Sequence, residues 1–377
     1  LLLYVRVLAQ FYQTVCFLQI IFVLESKYRF IGDNIMNMSL KDKVRNRPDV
    51  LLSDTYHSLK YNLIHKFMRQ FVVQFYFDGV RQFDFSMCSD GSFIFKTNSL
   101  NHWAVLKDNI SAWEREFCEL SDKTANFNFK QPNLTLTDVI KDRDDIGLNY
   151  LAVSQMLMKY FKVSIKQDGI MYRAEFADGD FVKYSKEFCE SKAKETDIEF
   201  KIDDEVLHNA GTDDSNFSYS DFEDIAQMCA MFFPGSEINV HTENSDGKTA
   251  TFCYDSLAEY INQKYKCSNV SNSVFRCESS ETELVKSVAE IRIAVGKSSN
   301  DKNVIDAYCN YNNHKYGKVL DAINDVLKTD DSHHYVVVVN IFMTRPLWLN
   351  ASQDGIKNQY INDNIYKYIN SEIGDFE

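Results

Sequence analysis

Three short stretches carry side chains whose type and spacing could do chemistry. In Asn62–Phe77, NLIHKFMRQFVVQFYF, Lys66 and Gln70 stand four residues apart. Four residues is one helical turn, so both side chains can reach one pocket. A lysine is cationic at neutral pH and cannot serve as a carboxylate base. Gln70 can both donate and accept hydrogen bonds. The pair equally fits the solvated side of an amphipathic helix. The second stretch, Gly147-Leu148-Asn149-Tyr150-Leu151-Ala152, opens an apolar helix. Backbone N–H groups at a helix start bind phosphate when the chain can approach closely, and Tyr150 obstructs that approach. The third, Thr97-Asn98-Ser99-Leu100-Asn101-His102, follows a hairpin and contains no glycine. His102 reads as an ordinary surface or packed histidine.

Other constellations are poorer. His333-His334 precedes a strand with no carboxylate or cysteine at metal-ligand spacing, and Cys309 and His314 lack a third partner. There is no G-x-S-x-G and no Walker-type loop. Nine cysteines, an odd number without a C-x-x-C pair, read as reduced thiols of a cytoplasmic protein. A net charge of −13 gives no uniform attraction to phosphate backbones, so weak or no direct DNA binding is expected. Any such contact would need a cluster formed in space, for example Lys315, Lys318 and Lys328.

The elements that must position these residues follow from pattern. In Asn62–Phe77, Leu63, Phe67, Phe71 and Phe75 recur every four residues, with Ile64, Met68 and Val72 beside them; Lys66, Gln70 and Gln74 share the polar side. Phe83–Phe95 reads as a hairpin around Ser89-Asp90-Gly91-Ser92. From Gly147 a helix runs into a strand, a turn at Asp168-Gly169 and further strands to Leu207. Phe217–Pro234 is a helix, Glu237–Tyr254 a hairpin, and Ser256–Tyr265 a short helix. Lys266–Ser273, small and polar, is the expected linker. Val274–Cys277 and Val285–Val295 then read as strands, Tyr316–Leu327 as a helix and Tyr335–Met343 as a buried strand. Leu1–Leu24 is apolar but interrupted by Arg6, Gln10, Gln13 and Gln19. A membrane span wants about 20 predominantly apolar residues. Residues 1–38 are therefore read as an N-terminal arm or a non-native extension, with no membrane role.

The order and spacing of Gly147–Leu207 resemble the N-terminal region of the DNA gyrase B subunit and its topoisomerase IV relatives. The family's G-L-H-G-V-G loop falls on Gly147 to Ala152, with two glycines replaced by Tyr150 and Ala152. Arg47-Pro48-Asp49 sits where the family has an R-P-G turn. The resemblance places the general-base Glu on Lys66 and the magnesium-holding Asn on Gln70. Its adenine-binding D-x-G-x-G falls on Asn98, Leu100 and His102, or, one residue earlier, on Thr97, Ser99 and Asn101. Thr196 matches the threonine of the family's G-T pair, with Glu195 in the glycine's place and a negative charge expected beside the pocket. The Q-T-K loop falls on Ala351-Ser352-Gln353, or with a small insertion reaches Lys357. Asn310-Tyr311-Asn312-Asn313 echoes the family's N-N-x-N loop.

The resemblance implies an α+β protein: a gyrase-type (GHKL) ATPase α/β sandwich over 39–268, then a transducer-like (ribosomal S5-type) α/β domain over 269–377. It implies a degenerate nucleotide pocket filled by its own side chains, lost ATP hydrolysis and no cofactor. The expected role is an interaction or scaffold protein, as a homodimer or with a topoisomerase-type partner. The alternative is a functional ATP-dependent topoisomerase B fragment with altered ligands, using ATP and magnesium.

Overall fold

The computed structural model describes residues 39–48, 52, 58–100, 113, 117–118, 150–209, 217–243, 247–279, 287–298, 302–314, 318–328, 333–344 and 359–375. The chain order begins with helices α1 (Leu40–Asn46) and α2 (Leu59–Tyr76), then strands β1 (Gln82–Met87) and β2 (Ser92–Thr97). Helix α3 (Tyr150–Met156) leads into β3 (Met158–Gln167), β4 (Ile170–Ala177), β5 (Asp180–Phe188) and β6 (Glu195–Ile202). Helices α4 (Asp204–Asn209) and α5 (Tyr219–Phe232) precede the hairpin β7 (Glu237–Thr242) and β8 (Thr249–Phe252). These eight strands form one sheet in the order β5-β4-β3-β6-β2-β1-β7-β8, with β1 and β7 parallel.

Helix α2 starts where Ser58 accepts a hydrogen bond from the Tyr61 N–H at 3.1 Å, satisfying one of the open donors of the first turn. Its apolar stripe then buries against the sheet. The Phe67 ring stacks on Phe95 at 5.2 Å, meets Phe200 edge-on at 4.9 Å and lies 5.8 Å from Phe161. Phe71 continues the contact to Phe83, Phe85 and Phe95. Helix α5 lies alongside, opened by a reciprocal cap between Ser218 and Asp221. At the other end α1 is fastened by Arg45, which donates to Asp203 at 2.5 Å and to the Met156 carbonyl at 3.1 Å. Gly179 sits beneath it at φ +86°, and a Cβ there would meet the Lys41 side chain and the Met156 backbone.

The chain then continues through α6 (Leu257–Tyr265) into β9 (Ser268–Ser279), β10 (Ser287–Lys297), β11 (Val304–Cys309) and β12 (Asn312–His314). Helix α7 (Lys318–Leu327), β13 (Tyr335–Met343) and helix α8 (Gln359–Asp375) complete it. The second sheet runs β12-β11-β13-β10-β9. All nine residues of central β13 are buried because both its faces are covered. Val337, Val339 and Ile341 pack under α7 and α8, while Val336, Val338 and Phe342 enter the core of the first domain. Tyr311 joins that same core, stacked on Phe233 at 5.6 Å with the Arg69 guanidinium 5.2 Å from its ring. The Asn310–Tyr311 turn takes positive φ at both residues. It is held by the Asn310 side chain, which bridges the Met343 N–H and carbonyl at 2.9 and 3.0 Å.

The α+β architecture of two successive domains is the one the sequence implied. One expectation fails. Lys266–Ser273 is not a linker, because β9 begins at Ser268. As the edge strand of its sheet β9 needs an apolar side only where α6 and α8 cover it, so small polar residues suffice and mimic a linker. Strands β11 and β12 and helix α8 carried no sequence expectation. Residues 1–38 and most of the polar stretch 106–145 lie outside the described residues; within it, Trp113 and Phe117 are fully buried.

Removing the Phe67 ring would empty the meeting point of three strands. Phe67→Ala should lower stability by about 3–5 kcal/mol. Urea titration should show an earlier midpoint with an unchanged slope.

Candidate functional site

The candidate residues lie where α2 packs on β2 and β6 and meets α3. With Phe67, Phe71 and Phe75 turned to the sheet, helical geometry puts Lys66, Gln70 and Gln74 on a neighbouring stripe, each half-buried. Lys66 and Gln70 therefore share one side of α2, one turn apart, as the spacing required.

Strand β2 decides the next residue by alternation. Phe93, Phe95 and Thr97 face the helices; Thr97 is fully buried and its hydroxyl donates to the Gln82 carbonyl at 2.9 Å. Asn98, one residue on, is exposed. Of the two registers for the base-binding motif, the one that starts on Thr97 thus begins on the helix side of the sheet. Leu100 is half-buried and packs against the main core. Thr196 on β6 is paired with Thr97 in the sheet and is also fully buried. Its hydroxyl donates to the Ser99 carbonyl at 2.9 Å, tying β6 to the segment that follows β2.

Helix α3 supplies the third wall. Leu151, Ala152 and Val153 are buried, and α3 packs on α2 and β3. Ala152 is thus a core residue in this fold. Gly147, Leu148, the Tyr150 side chain, His102, Gln353 and Lys357 lie outside the described residues. So does the pocket-filling expectation for Tyr150 and His102.

Two neighbours had no place in the sequence reading. Ser154 and Gln155 on α3 are at most 1% exposed, and Ser154 Oγ and both Gln155 amide atoms have no hydrogen-bond partner among the described residues. Their signal was available: two polar residues in an otherwise apolar helical run. Arg69 is 3% exposed on α2, beside Gln70, and reaches the second domain through Tyr311. Among the described residues no three His, Cys, Asp or Glu side chains are grouped to hold a metal ion.

Glu195 corrects an expectation. It was placed beside the pocket, yet strand alternation turns it to the opposite, open face of the sheet from Thr196. There Lys96 and Lys166 hold its Oε1 at 2.7 and 3.0 Å. Burial alone would push its carboxyl up, but those two hydrogen bonds and the lysine charges hold it below the usual carboxylate range. The next outward residue, Asp197, has the reverse balance. Burial, with the Glu195 charge added, raises its carboxyl despite Lys166, Lys96 and Ser164, and its Oδ1 has no partner among the described residues.

Comparison with solved structures places the fold. The B subunit of DNA gyrase from Myxococcus xanthus superposes with a TM-score of 0.58 at 12% identity, over 88% of this chain and 94% of that one. The 43K ATPase domain of Thermus thermophilus gyrase B, solved with an aminocoumarin, gives 0.54 at 14% identity, over 89% and 90%. The topoisomerase IV ATP-binding domain of Francisella tularensis, solved with a small-molecule inhibitor, gives 0.50 at 14% identity, over 89% and 91%. No protein-family profile and no curated protein sequence matches the chain. The chain therefore has the gyrase B-type fold across both domains.

Asp197→Asn should stabilise the protein at neutral pH, because a buried charge is removed. The raised folded-state pKa means the wild-type penalty is present when Asp197 is ionised and fades as pH falls through that pKa. Denaturation at pH 7 and again near pH 4 should show the advantage of the variant shrinking toward zero.

Proposed function

We propose that this chain is a gyrase B-like module that has lost ATP hydrolysis and acts as an interaction or scaffold protein. The reading rests on one observation above all: the side of α2 next to its buried aromatic stripe carries Lys66 and Gln70. In a hydrolase of this fold a carboxylate must polarise the attacking water. An ammonium group there has no proton-accepting role at neutral pH, and a glutamine side chain reaches too far to hold the metal where an asparagine would. Both side chains speak against a magnesium–nucleotide complex on this side of α2. Leu100, packed on the core, and the replacement of loop glycines by Tyr150 and Ala152 in the sequence support the same reading. Glycine is the residue that lets backbone approach a ligand closely, and none stands at these positions.

In this proposal the framework is used and the chemistry is not. The first domain and the second share a core through Tyr311, Val336, Val338 and Phe342. A second copy of the chain or a topoisomerase-type subunit is the proposed partner. No described helix is long and apolar enough to cross a membrane.

Two measurements test the proposal. Phosphate release from magnesium–ATP should match a protein-free blank. Turnover that is present in the wild type and abolished by Lys66→Ala would sink it. Titration with duplex DNA at low salt, where electrostatic attraction is greatest, should show weak or no binding. Lys328, on which a basic cluster would depend, is already paired with Asp325 at 3.3 Å. Sub-micromolar, salt-sensitive affinity would instead favour a working topoisomerase subunit with altered ligands.

A further inference from the structure

Strand β5 is the last strand of the first sheet, so one of its sides has no neighbouring strand among the described residues. An edge of this kind offers backbone donors and acceptors to another chain. The strand also carries apolar surface. Of the large apolar side chains left exposed among the described residues, the two most exposed, Phe188 at 94% and Val182 at 60%, both lie on it. Between them, Lys183 and Glu187 are exposed, and neither has an ion-pair partner among the described residues.

The ladder to β4 decides which backbone groups face outward. The Cys189 N–H donates to the Gly169 carbonyl at 2.9 Å, one step beyond the paired Phe188 and Ile170. Hydrogen-bonded pairs alternate along an antiparallel ladder, so Glu187, Ser185 and Lys183 direct their backbone groups to β4. Tyr184, Lys186 and Phe188 direct theirs to the outer edge. A bulge at Val182 ends this regular run, since Lys183 lies opposite Glu175 and Phe181 opposite Phe176.

A second copy can meet that edge antiparallel about a two-fold axis, and such a contact closes at a dimer. Alternation requires the axis to pass beside a residue, and charge then separates the registers. Centred on Lys186, the axis sets two lysines against each other, which is unfavourable. Centred on Tyr184, it sets Lys183 against Ser185 and Glu187 against Phe181, with no charge matched. Centred on Ser185, it sets Lys183 of each copy against Glu187 of the other. That pair falls at a non-hydrogen-bonded position, where side chains lie closest. The same register brings Phe188 of each copy opposite Val182 of the other, one at each end of the paired run. Lysines on an edge ordinarily discourage pairing. In this register Lys183 meets an acid, so the charges that repel other strands select this one.

We propose that two copies of this chain join β5 to β5 about a two-fold axis at Ser185, continuing one sheet into the other. The proposal rests on the scaffold reading only for its choice of partner, a second copy, and it names the surface that copy uses.

The test is sedimentation velocity of the full chain from micromolar to sub-millimolar concentration. The wild type should form a reversible dimer. Lys183→Glu and Glu187→Lys each set two like-charged pairs at the contact, and each should weaken self-association by about tenfold or more. An equimolar mixture of the two variants should dimerise again, because each chain then meets the opposite charge. Along one strand the two positions are about 13 Å apart, so this rescue can arise only between copies. Phe188→Ser, which removes an exposed ring, should also weaken the dimer. A monomer at every concentration overturns the proposal. So does a dimer that the single variants leave unchanged, or a mixture that is not rescued. Phosphate release from magnesium–ATP checks the scaffold reading separately. Turnover with an intact, charge-dependent dimer would sink that reading alone; a monomer without turnover would sink the β5 contact alone.

Discussion

The burial of one aromatic stripe of α2 is the constraint on which the rest depends. Phe67 and Phe71 pack against Phe95 and neighbouring strands, and aromatic side chains of this size dominate core energetics. Once that stripe faces the sheet, α2 cannot rotate, and the direction of every other residue on it is set. Lys66 and Gln70 are held on one side and Arg69 on another, where it reaches Tyr311. A packing decision thus becomes a decision about chemistry. The same helix carries these residues and, through Arg69 and Tyr311, links them to the second domain.

Strand alternation is the second organising rule, and it explains why adjacent residues have unrelated surroundings. Thr196 is buried among the helices and bonded to the Ser99 carbonyl. Glu195 stands on the open face between two lysines. That open face is organised by cross-strand ion pairs such as Lys162–Glu199, at 2.9 Å. The sheet is therefore apolar on the side that faces the helices and charged on the other.

Much of this was legible in the sequence where local signals were strong. The Asp168-Gly169 turn takes positive φ at both residues, as a two-residue hairpin loop demands. Tyr335–Met343 reads as one apolar run because it is covered on both faces. The four-residue spacing of phenylalanines gave α2 its orientation before any coordinates. Other features depended on tertiary context. Strand β9 looks like a linker because an edge strand needs few apolar residues. Helix α8 did carry a signal, isoleucines at 361, 365, 369 and 373, all buried. The choice between Thr97 and Asn98 could not be made from spacing, since a register shift of one residue exchanges the two faces of the sheet.

The central claim is that a gyrase B-type framework persists here around a cleft that no longer handles a magnesium–nucleotide complex. Equilibrium binding of a non-hydrolysable ATP analogue, measured with and without magnesium, tests it most directly, since it is independent of turnover rate and of missing partner domains. The account predicts no saturable binding that depends on magnesium. Micromolar binding that strengthens on adding magnesium and is lost in Gln70→Ala would contradict it.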